Sequence, residues 1–369
     1  MSWHPLEGVI VVDLGQLTPG CYSTLLLAEL GARVIKVERP GGDPVRQLIP
    51  GSHEWLNRGK ESVVLDLKAE KGRTALHDLV SVGDVVVENF REEAANRLGV
   101  TYAAIRRANP RCSLVSLRAD SRHPHKPGHD LTVQAESGLL SFHHSDAGTA
   151  PRLATLDLAA ATVTVVACVG AALRAVTTGE GSHVVVGMQD VGASWLGRYA
   201  AEANALGIGE LAGGPRGARA LQERAAYGTF RTRDDRQVAI ACIEPHYWFR
   251  LVDAIADRNL VAYRNPEKRD GAVADVNRLL ARIVAAQDLS RWLEIGRSKR
   301  LPIAQVRSLP SLDEIPATLF STGSRSPGAE LSPAPALGQD TDGVLQWLAA
   351  RRSGAASAAL DDQSQGNGR

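Results

Sequence analysis

The chain has 369 residues, with 42 basic and 41 acidic side chains, a formal net charge of +1 and 44% hydrophobic residues. That length fits two domains, each able to bury a core of its own. The balanced charge gives no sign of nucleic acid or an anionic membrane surface as principal partner and favours a small-molecule ligand. The four cysteines, Cys21, Cys112, Cys168 and Cys242, form no CxxC pair. With no basic-then-apolar leader at the start, a reduced, cytoplasmic protein is expected.

Val9 to Leu14 is a short β-branched apolar run, suited to a strand buried on both faces of a parallel sheet. The helix after it is expected to take Thr18 as N-cap, Pro19 as first helical residue and Gly31 as a left-handed C-terminal cap. Strand Arg33 to Val37 follows, then strand Ser62 to Leu67, a helix from Ala69, strand Asp84 to Glu88, helices to Asn109 and strand Cys112 to Leu117. Strands alternating with helices imply an α/β fold with a parallel sheet covered on both faces. The apolar stretch Leu158 to Leu173, between Asp157 and Arg174, is shorter than the ~20 residues of a membrane span. It predicts a helix buried in a soluble domain.

A stop at Thr178-Gly179, a strand from His183 to Val186 and a helix from Met188 to Leu206 come next. The Gly- and Arg-rich Ala212 to Ala218 predicts a linker, and Gly228 to Cys242 a hairpin turning at Asp234-Asp235. Helices are expected over His246 to Ile255, Val273 to Ala286 and Leu289 to Arg297, with Ile303 to Val306 as a returning strand. Pro-rich loops from Pro310 to Pro335 lead to a helix over Thr341 to Ala350. The implied partition is a large domain over 1–200, a linker over 201–225, a small α+β domain over 226–300, a return to the large domain over 301–352 and a disordered tail over 353–369.

Several segments in order carry a resemblance: LAELGARVIKVERPGGDPVR from Leu27, NRGKESVVLDLK from Asn57, DVVVENFREEAANRLGV from Asp84, PGHDLTVQAESG from Pro127, TTGEGSHVVVGMQD from Thr177, ACIEPHYW from Ala241 and ALGQDTDGVL from Ala336. Over about residues 5 to 350 the chain resembles the family III CoA-transferases, a group that includes carnitine and bile-acid CoA-transferases, formyl-CoA transferase and α-methylacyl-CoA racemase. The resemblance implies a Rossmann-like large domain, a smaller domain and a homodimer whose chains interlock. It also implies acyl-CoA and carboxylic acids as small-molecule partners, with coenzyme A as cosubstrate.

The residues agree with part of this. CoA carries a 3′-phosphate and a diphosphate, which call for Arg or Lys and for free N–H groups at helix starts. Arg39, Lys68, Arg91 and Arg97 lie at or just after strand ends, and the Thr18-Pro19 helix start lies at the sheet edge where α/β folds bind ligands. Carried over residue by residue, the family's CoA contacts fall on Leu17, Thr18, Arg39, Leu65, Lys68, Asn89, Phe90, Arg97 and Leu98.

By position alone, Asp157 reads as an N-cap or a partner of the helix dipole. The resemblance makes it the catalytic aspartate. In the family's transferases this residue attacks the thioester; in its racemases it pairs with a histidine in proton transfer. His129, otherwise a loop histidine, matches the racemase histidine, and Glu244, otherwise a surface glutamate, matches its supporting residue. His123, His125, His129, His143 and His144 fit no standard zinc spacing, so no metal is expected.

The chain also departs from the family. RADSRHPHKPG, from Arg118 to Gly128, stands where the family has a glycine-rich turn resembling GFGxxGP, and Leu158-Ala159-Ala160-Ala161 replaces its glycine after the aspartate. The leading expectation is CoA transfer between carboxylic acids with Asp157 as nucleophile. Its alternatives are an acyl-CoA racemase using His129, Asp157 and Glu244, and a repurposed member or binding protein without CoA transfer.

Overall fold

The computed structural model describes residues 3–49, 51–142, 153–207, 223–316, 318–320, 331–351 and 353. The expected linker over Ala212 to Ala218, His143, His144 and nearly all of the expected tail lie outside them. The chain divides into two compact units, Met1–Arg198 with Pro316–Arg369, and Tyr199–Ile315.

In the first unit, β1 (Ile10–Leu14), β2 (Arg33–Glu38), β3 (Lys60–Val64), β4 (Val85–Glu88), β5 (Ser113–Arg118) and β6 (His183–Gly187) form one sheet in the order β3-β2-β1-β4-β5-β6. All its pairings are parallel. The strands are apolar on both sides, because alternate residues feed different cores. Val11, Val85 and Val87 pack with Leu26, Leu27, Val115 and Leu156. Ile10, Val12, Leu14 and Val86 pack with Leu76, Leu79, Ile105, Val344 and Leu348. The first face is covered by α1 (Leu17–Glu29) and α8 (Thr155–Thr178), the second by α4 (Glu70–Val82), α6 (Tyr102–Ala108) and a helix over 341–350.

The reversal of strand order between β1 and β4 is the switch point at which such sheets hold ligands beyond their C-terminal edge. The turn from β1 into α1 is very tight there. A Cβ on Gly15 would lie 2.8 Å from the Gly20 Cα, and one on Gly20 2.7 Å from the Gly15 Cα, so both positions require glycine. Contrary to the expected Thr18 cap, α1 takes Gln16 as N-cap, and Leu17 enters the helix with a left-handed φ of 57°. Gly31, with φ 95°, ends the helix as expected.

Strand β3 stops at Val64 rather than Leu67, which frees Leu65 to Lys68 to form a loop. The returning C-terminal segment lines the β3 edge. Ser62 N–H donates to Asp340 (2.8 Å), Asp340 N–H donates back to the Ser62 carbonyl (3.0 Å), and Val64 N–H donates to the Thr341 hydroxyl (3.1 Å).

Helix α8 is long and apolar enough to cross a membrane by length and composition. One side packs against α1, β5 and β6, as a core helix does. The stripe Val163, Val166, Val169, Leu173 and Val176 is exposed, so the helix is only partly buried.

The second unit holds the antiparallel sheet of β7 (Tyr227–Arg231), β8 (Gln237–Ala241) and β9 (Ile303–Gln305), with the expected hairpin between β7 and β8. Trp248 and Trp292 anchor its core. The expected return to the large domain at residue 301 is corrected here. Ile303–Gln305 pairs with β8, and the chain rejoins the first unit at Pro316.

Candidate active site

Beneath the start of α1 lies a buried polar network of two lysines and two aspartates. Lys36 reaches Asp43 (2.9 Å), the Gly15 carbonyl (2.8 Å) and the Cys21 sulfur (3.4 Å). Lys60 reaches Asp13 (3.1 Å), the Cys21 carbonyl (2.9 Å), Thr24 (2.7 Å) and Asn57 (2.9 Å). All four charged side chains are almost fully buried, and a balanced, fully bonded set is the form in which burial is tolerable. Burial opposes the Lys36 charge, but Cys21, Asp13 and Asp43 outweigh it and raise its pKa; burial pushes the Cys21 thiol up to about 11. The network fixes the β1–α1 turn: Asp43 Oδ1 accepts from Leu17 N–H (3.2 Å) and Val45 N–H (2.9 Å).

This corrects the expectation of a free anion site at the α1 start. Leu17 N–H is already used, a carboxylate sits there, and Pro19 has no N–H to offer. Asn89, expected to touch CoA, is a tie across the switch point. Its Oδ1 accepts from Gln16 N–H and its Nδ2 donates to the Gln16 carbonyl, both at 2.8 Å.

Over the C-terminal ends of β1 to β4 lies a cleft of about 180 Å³. Six of the nine expected CoA residues line it: Arg39, Leu65, Lys68, Phe90, Arg97 and Leu98. Leu17, Thr18 and Asn89 do not, although Leu17 follows the lining residue Gln16 in sequence and Asn89 hydrogen-bonds it. Leu14, Val37, Leu65, Leu67, Phe90 and Leu98 give it apolar walls. Arg39, Lys68 and Arg97 form no ion pair among the described residues; Arg39 Nε donates to the Gly42 carbonyl (3.1 Å). Apolar walls with three cations at the rim suit a flat base carrying phosphates.

Asp157 lies in the first turn of α8, half-buried. Burial, with the Asp130 charge adding to it, pushes its carboxyl up to about 7. Asp130 opens α7 (Asp130–Ser137), and its Oδ1 accepts from Leu156 N–H (2.8 Å) and Asp157 N–H (3.0 Å). His129, at the N-cap of α7, is exposed and adjoins Asp130 in sequence, and of the two it is Asp130 that bonds the α8 start. Glu244 is the exposed N-cap of the helix Pro245–Ile255 in the second unit. Asp130 lies within the PGHDLTVQAESG motif, which by itself assigns it no role. The signal available was an aspartate at a helix start with no good cap residue ahead of α8.

The segment in place of the glycine-rich turn folds back on the protein. Arg118 is buried against Glu88 (2.6 and 3.0 Å), and Ser121 donates to Asp190. His123 meets Asp120 (2.9 Å), and His125 meets Glu93 (2.7 Å) and Glu92 (3.4 Å). Among the described residues, no group of three His, Cys, Asp or Glu side chains is arranged to hold a metal ion.

The sequence profile described as CoA-transferase family III matches residues 6–318. The chain belongs to this family. It is 28% identical over 330 residues to an acetyl-CoA:oxalate CoA-transferase of Acetobacter aceti, covering 85% of this chain and 84% of that protein. It is 31% identical over 259 residues to the human α-methylacyl-CoA racemase, covering 68% and 64% of the two chains. In structure it is similar to a hypothetical protein of Mycobacterium tuberculosis, with a TM-score of 0.75, 26% identity and coverage of 91% and 98%. Family III therefore accounts for the six-stranded parallel sheet, and transferase and racemase relatives both lie within reach of this sequence.

Proposed function

We propose that this chain transfers CoA from an acyl-CoA thioester to a carboxylic acid, with Asp157 as nucleophile. The observation that carries the reading is a partly desolvated carboxyl at the head of α8, beside the segment that bears His129 and Asp130. An Asp157 oxygen attacks the thioester carbonyl, the C–S bond breaks, and CoA leaves as thiolate, giving a mixed anhydride. The thiolate attacks the aspartyl carbonyl and expels the donor acid, leaving an aspartyl thioester. The acceptor carboxylate attacks that thioester and releases the thiolate. Thiolate attack on the acceptor's carbonyl then forms the new acyl-CoA and restores Asp157. In this reading Arg39, Lys68 and Arg97 hold the CoA phosphates.

A second reading, an acyl-CoA racemase, is favoured by the same carboxyl. A group titrating near 7 is suited to moving a proton, and His129 adjoins Asp130. Glu244 would support that pair. An interlocked homodimer belongs to both readings, and the exposed α8 stripe is the surface that supports it. Four buried free thiols accord with a cytoplasmic setting.

The deciding experiment incubates the protein with acetyl-CoA plus oxalate, and separately with a 2-methylacyl-CoA in D2O. Transfer with a hydroxylamine-trapped Asp157 adduct is the expected result. α-Deuterium exchange without an adduct makes the protein a racemase, and neither outcome makes it a family member without CoA chemistry.

A further inference from the structure

Helix α8 lacks a cap of its own: Ala154 occupies the N-cap and offers no side-chain acceptor. The first-turn N–H groups of Leu156 and Asp157 are instead satisfied from another helix, by Asp130 Oδ1. The other oxygen, Oδ2, accepts from Gln134 Nε2. Gln134 is fully buried, and its Oε1 has no hydrogen-bond partner.

A neutral cap would serve the backbone as well and would not repel the Asp157 carboxyl. In Asp130→Asn the amide oxygen still accepts from α8. The new NH2 can donate to the oxygen of a flipped Gln134 amide, whose own NH2 then takes the place of the orphan oxygen, so the number of unpaired polar atoms is unchanged. The chain instead keeps a carboxylate next to a second carboxyl, at a cost to the folded state. Local rules broken without a structural gain mark functional groups.

We propose that Asp130 is a positioning residue for Asp157, acting through the first turn of α8 that it seats and through its negative charge. The inference rests on Asp157 being the reacting group. Among the described residues, His129 at the N-cap of α7 is exposed to solvent, and the following charged and titratable groups on the elements around α8 are engaged elsewhere. Glu29 of α1 pairs with Arg58, Glu88 of β4 with Arg118 of β5, and Glu136 of α7 with Lys126. His183 of β6 bonds Ser116, and Asp190 accepts from Ser121. Asp130 is the charge that acts on the Asp157 carboxyl, in the same direction as burial. A carboxylate held at raised proton affinity is the more basic and more reactive oxygen at neutral pH.

The test follows the Asp157 carboxyl by 13C NMR titration in the full-length protein, its signal assigned with Asp157→Asn. The neutral caps Asp130→Asn and Asp130→Ser are measured in parallel. CoA exchange from acetyl-CoA to oxalate is recorded against pH on the same proteins. Both neutral variants are expected to fold. They should move the Asp157 titration and the acid limb of the rate profile to lower pH, by up to about one unit. A merely structural cap would leave both unmoved, and an unmoved titration in a folded variant overturns the inference. An active Asp157→Ala overturns the reading beneath it instead, so the two failures are separable.

Discussion

Replacing Asp157 with asparagine should abolish transfer and stabilise the protein, and the stability gain should depend on pH. The carboxyl is raised from 3.8 to about 7 in the fold, by burial first and by Asp130 second. A carboxyl whose pKa is higher folded than unfolded binds its proton more tightly in the native state. Its ionisation therefore costs stability as pH rises from about 4 through about 7, and the full cost stands above that. At about 1.4 kcal/mol per unit of pKa the limit is about 4 kcal/mol. Partial access to water reduces this to roughly 2 to 4 kcal/mol at pH 8.5. The α8 dipole favours the carboxylate by only about 0.3 to 1 kcal/mol, so the penalty wins. Asp157→Asn is nearly isosteric and removes the charge. Urea unfolding of both proteins at pH 4, 6 and 8.5 should give nearly equal stabilities at pH 4, roughly two thirds of the variant's advantage at pH 6 and the whole of it at pH 8.5. A gap that does not change with pH, or a variant less stable at pH 8.5, refutes the reasoning.

Arg39→Ala, Lys68→Ala and Arg97→Ala should each weaken CoA binding roughly tenfold or more, the scale of a charge-assisted hydrogen bond; calorimetry with unchanged affinity in all three would remove the cleft from consideration. Lys60→Met should cost about 3 to 5 kcal/mol in urea unfolding, because Asp13 loses its nearest cation at 3.1 Å and keeps only Lys36 at 4.0 Å. If the α8 stripe is a dimer surface, Leu173→Glu together with Val176→Glu should give a smaller species in light scattering, and an unchanged mass would free the stripe from that role.

The strands of the first unit were legible because apolar β-branched runs such as Val9 to Leu14 and Asp84 to Glu88 leave few alternatives to a doubly covered sheet. What local reading lost was set by distant partners. Thr18 looked like the cap, but Asp43 draws the Leu17 N–H and moves the helix start back to Gln16. Ile303 to Val306 looked like a return strand, but a short apolar run does not say which sheet will accept it. Lys36 and Lys60 read as ordinary strand charges, and their burial becomes visible only when Asp13, Asp43 and Asn57 meet them. For the site, motif order brought six cleft residues and Asp157 into view. Asp130 stayed without a role, since its bonds reach across 26 and 27 positions.

The C-terminal segment along β3 bears on how the chain is made. Strand β3 is complete once residue 64 has left the ribosome, yet the groups that cap its outer edge, Asp340 and Thr341, emerge only after the whole second unit has been synthesised. For that interval the nascent sheet shows an unpaired edge able to recruit stray strands. A chain cut short before Ser332 keeps it permanently, because the bond from Gly59 N–H to the Ser332 carbonyl and those beyond it never form. Premature termination late in translation should therefore yield aggregates rather than a smaller soluble protein.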